Sequence, residues 1–172
     1  MSTINFIKLV CVCLLQVAIS SCGENKSKTF VLKDIEFTFE GPLFEGSNPS
    51  QYTVSVDLAK VLKEEYSEGM SLEKVLLKKA EIHANDTLGF QHVNAFVLSA
   101  AGDNPELKMQ ELAVLNPLPA NARSVQLIPS TEAEATNFFA EKQFYLVLDA
   151  SLAKDREENI KLLGNFEFEL HY

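Results

Sequence analysis

An antiparallel β-sandwich of about eight strands with two short helices is the architecture this sequence predicts. Three observations carry that expectation. Apolar and polar residues alternate with period two in several stretches, most clearly over 160–172. There Ile160, Leu162, Phe166, Phe168, Leu170 and Tyr172 share one parity, and Lys161, Glu167, Glu169 and His171 the other. The apolar runs are short and divided by Gly and Pro turn chemistry. Two short stretches alone show helical spacing, so an α+β domain is the alternative rather than the first choice. The chain has 12 Phe, 4 Tyr and no Trp, so phenylalanine rings are expected to fill the core.

The first residues are of another kind. From Leu9 to Ile19 every residue is apolar except Gln16, and Lys8 is the one charged side chain before Cys22. As a helix this run would extend roughly 16 Å at ~1.5 Å per residue. A hydrocarbon core needs about 20 apolar residues, so the run reads as the apolar region of an export signal. Buried packing as an N-terminal helix is the competing reading, but no polar face accompanies the apolar one. The run ends in Ile19-Ser20-Ser21-Cys22, which resembles the lipobox of bacterial lipoproteins: a branched aliphatic residue, two small residues, then cysteine. Isoleucine replaces the commoner leucine, and Cys13 is the poorer candidate because Val12 precedes it.

That resemblance implies a precise set of expectations. Residues 1–21 would be removed as a signal peptide, and Cys22 would carry diacylglycerol on sulfur and an acyl chain on its new amine. Each buried methylene contributes about 0.8 kcal/mol, so two or three chains hold a domain on a membrane where one holds it marginally. In that family an aspartate after the cysteine signals inner-membrane retention; Gly23 stands there instead, which implies an outer-membrane destination. Residues 22–28 would then be a lipidated polar tether and residues 29–172 the domain. All three cysteines lie at or before Cys22, so the domain would contain no disulfide and would be held by its core. The net charge of the whole chain is −9, and removing the signal, with one Lys and no acid, makes it more negative by one unit. Such a surface repels nucleic acid.

Through the domain, residues 29–40 alternate from Ile35, and 41–50, with Gly41-Pro42, Gly46 and Asn48-Pro49, reads as a loop. Tyr52, Val54, Val56 and Leu58 repeat the strand pattern. Asp57 then caps an amphipathic helix over about 58–67, with Leu58, Val61, Leu62 and Tyr66 inward and Gly69 as a stop. Its polar side mixes Lys60, Lys63, Glu64 and Glu65, so it suits covering an open end of the sheets better than lying on a membrane. Residues 75–84 switch parity near Lys78-Lys79, which predicts a bulge. Strands are expected at 95–100, 111–115 and 124–128. Thr131 with Glu134 reads as a capping box starting a second helix that buries Ala135, Phe138 and Phe139. Residues 144–148 are continuously apolar, as in a strand covered on both faces. Gly164 reads as a bend in the last strand.

Catalytic chemistry finds little support. His83, Asp86 and His92 flank a predicted turn and could meet as zinc ligands. Polar turn formers of this kind are far more often solvated. Acid pairs such as Glu157-Glu158 or Glu132/Glu134 read as surface charge rather than as glycosidase carboxylates. There is no G-x-S-x-G elbow, no calcium loop and no glycine-rich phosphate loop. A metal-dependent hydrolase, the weaker alternative, would need a cluster of His and acids in one cleft, and loses most of its support if His83, His92 and His171 lie far apart. No metal and no cofactor is therefore expected. Asp86-Thr87-Leu88 resembles the O-glycosylation sites of exported Bacteroidota proteins, which makes Thr87 a candidate for a sugar. Phe44 and Phe90, beside loop glycines, are candidate contact residues; loop aromatics folded back onto the core are the competing reading. The whole pattern resembles small sandwich lipoproteins of the outer membrane in Bacteroidota. The expected function is a non-enzymatic binding or assembly module, engaging an envelope protein or a glycan. A carrier of a small apolar ligand such as a lipid is the alternative.

Overall fold

The computed structural model describes residues 26–85, 89–131 and 134–172. β1 (Ser27–Phe39) and β2 (Gly46–Ser55) lead into α1 (Leu58–Leu62), which continues as a 3-10 turn at Lys63–Glu65. β3 (Lys74–Ala84), β4 (Val93–Ala101), β5 (Gln110–Leu115) and β6 (Ser124–Pro129) follow. α2 (Thr136–Phe139), β7 (Gln143–Leu152) and β8 (Ile160–His171) come last.

All pairings among these strands are antiparallel, in the lateral order β1-β8-β3-β6-β5-β4-β7-β2. β5 and β6 pair briefly, Ala113 with Pro129 and Val114 with Ile128. The sheet therefore turns there into two four-stranded halves, β1-β8-β3-β6 and β5-β4-β7-β2. The outer strands β1 and β2 approach again where Ser50 Oγ donates to the Thr38 carbonyl at 2.8 Å. This order is the jelly-roll form of an antiparallel sandwich, an arrangement that leaves little exposed sheet edge.

The predicted inward parity of β8 is the buried one: Ile160, Leu162, Phe166, Phe168 and Leu170 are all buried. Burying a phenylalanine contributes roughly 1.5–3 kcal/mol, and rings link the two halves. Phe139 of α2 lies 5.4 Å from Phe30, 5.1 Å from Phe168 and 5.1 Å from Phe144. The parity switch in β3 is a register shift against β8 between Leu77 and Lys79. A second shift lies in β1 between Leu32 and Ile35, where Asp34 takes φ 54° and its N–H donates to Asn165 Oδ1 at 2.9 Å.

Several local expectations are corrected. β7 is central, between β2 and β4, but its burial alternates, so one face is covered rather than both. β2 begins at Gly46, not after Ser50, because Pro49 needs no N–H donor on an outer strand paired on one side. Ser27 and Lys28, expected in the tether, already pair with His171 and Leu170. Gly164 is not a bend. It pairs with Ile35 and Ile82, and a Cβ there would lie 2.5 Å from Phe166 Cζ and 3.1 Å from Phe37 Cε2. Its lack of a side chain leaves room for those two rings.

α1 starts where Asp57 predicts, its carboxylate accepting from the Lys60 N–H at 3.1 Å, but it is short; Lys63, at φ 55°, ends it. α2 does not begin at a Thr131/Glu134 capping box. Glu134 forms a bridge with Leu76, the Ala135 N–H donates to the Val75 carbonyl at 2.9 Å, and Thr136 Oγ1 accepts from the Val75 N–H at 2.9 Å. Glu134 and Ala135 are held on β3, so the helix starts only at Thr136, without a side-chain cap at Ala135.

Candidate functional site

The register of the strands sorts their connections to two ends. Ser27, Lys74 and His171 align at one end, with both helices and the connecting residues 56–73, 102–109, 130–131 and 134–142. At the other end lie 40–45, residue 85 with 89–92, 116–123 and 153–159. A 12-residue strand such as β8 separates them by roughly 40 Å at ~3.3 Å per residue.

Side chains that bond to backbone fix the second, loop end. The Gly41 N–H donates to Asn159 Oδ1 at 2.8 Å, and the Glu45 N–H to Asp155 Oδ1 at 2.7 Å. Asn48 clamps its own turn: Oδ1 accepts from the Phe44 N–H at 3.2 Å, and Nδ2 donates to the Phe44 carbonyl at 2.8 Å. Leu43 and Arg156 exchange backbone hydrogen bonds of 2.7 and 2.9 Å. Between these anchors Leu43 is buried, whereas Phe44 is 64% exposed. The ring is thus presented to solvent from a backbone held on both sides. Gly41 permits the docking: a Cβ there would meet the Glu157 carbonyl oxygen at 2.1 Å.

Two adjoining clefts open on this end. The first, about 610 Å³, lies between 89–94 and 118–123 and is lined by Phe90, His92, Asn94, Leu118, Asn121 and Arg123. Gly89 adopts φ 60°, and a Cβ on it would come within 3.3 Å of the Ala122 carbonyl oxygen. The second, about 300 Å³, shares Gln91 and His92 with the first and adds 154–158. Its notable member is Arg156, 7% exposed, whose Nη2 is buried and has no hydrogen-bond partner among the described residues.

The residues singled out from sequence fall in different places. Phe90 is 7% exposed and packs edge to face on Phe96 at 5.2 Å, so its ring belongs to the core wall of the first cleft rather than to a free contact surface. Cys22, Asp86, Thr87 and Glu132 lie outside the described residues. His83 pairs with Leu163 near the loop end, and His171 with Lys74 at the helical end. Those positions are about 26 Å apart along β8 at ~3.3 Å per residue, so His83, His92 and His171 do not share a cleft. Among the described residues no three His, Cys, Asp or Glu side chains form a metal-ligand group, and no helix is long and apolar enough to cross a membrane. Between the sheets, where a carried apolar ligand would sit, buried Phe37, Phe96, Phe144, Phe166 and Phe168 occupy the space. Sequence reasoning missed Arg156, because Lys154-Asp155-Arg156-Glu157-Glu158 reads as solvated charge. One signal was present: two arginines, 123 and 156, stand among 15 Lys and Arg residues.

No family model matches the chain, and no curated protein matches it. Among solved structures it is similar to the 60-mer BFDV capsid protein, with TM-score 0.35 and 12% identity over 86% of this chain and 94% of that one. It is also similar to Yersinia pseudotuberculosis TcaA-TcaB, with TM-score 0.33 and 15% identity over 95% of this chain and 11% of that one. A third likeness is to Mud crab tombus-like virus, with TM-score 0.25 and 10% identity over 93% and 96%. These likenesses are distant, and the jelly-roll description rests on the strand order itself.

Proposed function

We propose that the chain is a lipoprotein of the bacterial envelope, anchored in the outer membrane through Cys22, whose sandwich is a non-enzymatic binding or assembly module working through its loop end. The observation that carries the reading is polarity of the molecule. The chain enters the sandwich at Ser27, at the helical end, while two adjoining clefts and the exposed, held ring of Phe44 lie at the opposite end; the helical end has one cleft of about 430 Å³, between 56–59 and 139–142. Five residues from Cys22 to Ser27 reach at most about 17 Å. A lipid there would hold the helical end near the bilayer and turn the loop end outward, toward an envelope protein or glycan. A held, solvent-exposed aromatic beside clefts suits recognition, since contact surfaces draw their energy from a few such rings.

Palmitate labelling and membrane fractionation of Cys22→Ser test the anchor. Loss of both label and membrane association is expected; unchanged labelling and fractionation would overturn it. Pull-down from native membranes with the Phe44→Ala chain tests the module, and partners retained in full by that variant would exclude Phe44 as a contact.

A further inference from the structure

We infer that Arg156 is the recognition residue of a site for a singly charged carboxylate in the second cleft; this rests on the loop end being the binding face. Its side chain is 5% exposed, yet Nη2 has no partner among the described residues, and Nε faces Glu158 Oε2 at 3.7 Å, beyond direct hydrogen-bond length. A guanidinium carries five N–H donors and does not lose its charge, so burial without an acceptor leaves a strong demand for one. Both backbone bonds of Arg156 go to Leu43, which fixes the residue in place.

The forked donors match a carboxylate, which can accept two parallel N–H bonds. Glu158 is the chain's own weak stand-in: its side chain is 74% exposed and projects mostly into solvent. The cleft, about 300 Å³, suits a small acidic group rather than a whole ligand. Its charged lining, Lys154 and Arg156 against Asp155, Glu157 and Glu158, sums to a negative balance. A doubly charged phosphate is therefore disfavoured against a carboxylate. A peptide C-terminus and a uronic acid of a glycan offer the same group.

With two arginines in the chain, the Nε–H region of a ¹⁵N-labelled full chain gives two arginine signals, and Arg123→Lys assigns them. The chain is titrated with N-acetylglycine, glucuronate, N-acetylglycinamide and inorganic phosphate. A saturable shift of the Arg156 signal is expected with a carboxylate and none with the amide. Response to N-acetylglycine identifies a peptide terminus as the source, and response to glucuronate an acidic sugar. Arg156→Lys, which keeps the charge but not the fork, should weaken binding about tenfold, or ~1.4 kcal/mol. Glu158→Gln removes the internal competitor and should tighten it. The inference is overturned if neither carboxylate moves the signal, if phosphate binds as tightly as carboxylate, or if Glu158→Gln weakens binding. None of these outcomes bears on the membrane anchor, which Cys22→Ser decides separately.

Discussion

At the helical end, Leu62 of α1 and Phe138 and Phe139 of α2 are buried against the core, and Leu58 and Val61 pack beside them. At the loop end Leu43 and the Phe90 ring are buried as well, but the connections are fixed by Asn48, Asp155 and Asn159 bonding to backbone, beside a buried arginine. Apolar closure is set by volume and has no direction. Closure by hydrogen bonds fixes orientation, so it can hold an exposed ring and an unpaired donor in set places. The contrast teaches where stability and recognition separate in this sandwich: rings are buried at both ends, but packed helices cover one, and polar side chains fix the connections of the other.

The strongest way to break this contrast is to charge the sealed end. Phe168 is fully buried, pairs with Phe30 and Leu77 across the sheet, and touches the Phe139 ring at 5.1 Å. Phe168→Asp forfeits about 1.5–3 kcal/mol of burial and places an unpaired carboxylate in the core. Against a net stability of ~5–15 kcal/mol, that should unfold the domain, as read by loss of the cooperative thermal transition. A variant melting within a few degrees of the parent would show that this face does not seal the core.

At the loop end the comparable change should act locally. Gly41→Ala drives a methyl group toward the Glu157 carbonyl oxygen, 2.1 Å away before relaxation. Separating the two connections should cost about 1–3 kcal/mol and speed amide exchange in 40–45 and 153–159. Amides under α1 and α2 should exchange as in the parent. Global unfolding by this substitution would show that the loop end, too, is part of the sealing core.

Legibility from sequence divides along the same line. The inward parity of β8, the bulge in β3 and the Asp57 cap were readable because each depends on neighbours in sequence. The start of α2 was not, since Glu134, Ala135 and Thr136 are claimed by the edge of β3, a tertiary preference that overrides a local capping pattern. Phe44 and Phe90 looked alike beside their glycines. Their opposite fates follow from Asn48, which holds the Phe44 turn outward, and Phe96, which receives the Phe90 ring. Arg156 was hidden for the same reason: its burial arises where 153–159 docks on Leu43, and no charge run announces a docking.

A smaller effect sharpens the comparison from the helical side. Two carboxylates there are held below their ordinary pKa: Asp57 by hydrogen bonds from the Lys60 side chain and backbone N–H, and Glu169 chiefly by a hydrogen bond from Lys78. Groups of this kind bind fewer protons folded than unfolded. Their contribution is whole above the unfolded pKa and is lost as pH falls through the lower, folded value. The melting temperature should therefore fall below about pH 4, with amides around α1 the first to gain exchange. Glu36, held low by Lys161 and Thr38 on β1, titrates in the same direction but lies away from the helices. Asp57→Asn discriminates, because asparagine still accepts the helix-capping bond while carrying no charge. It should remove at neutral pH the same small contribution that acid removes in the parent, and flatten the acid dependence of exchange at α1. An undiminished acid response at α1 in that variant would assign the effect to other carboxylates.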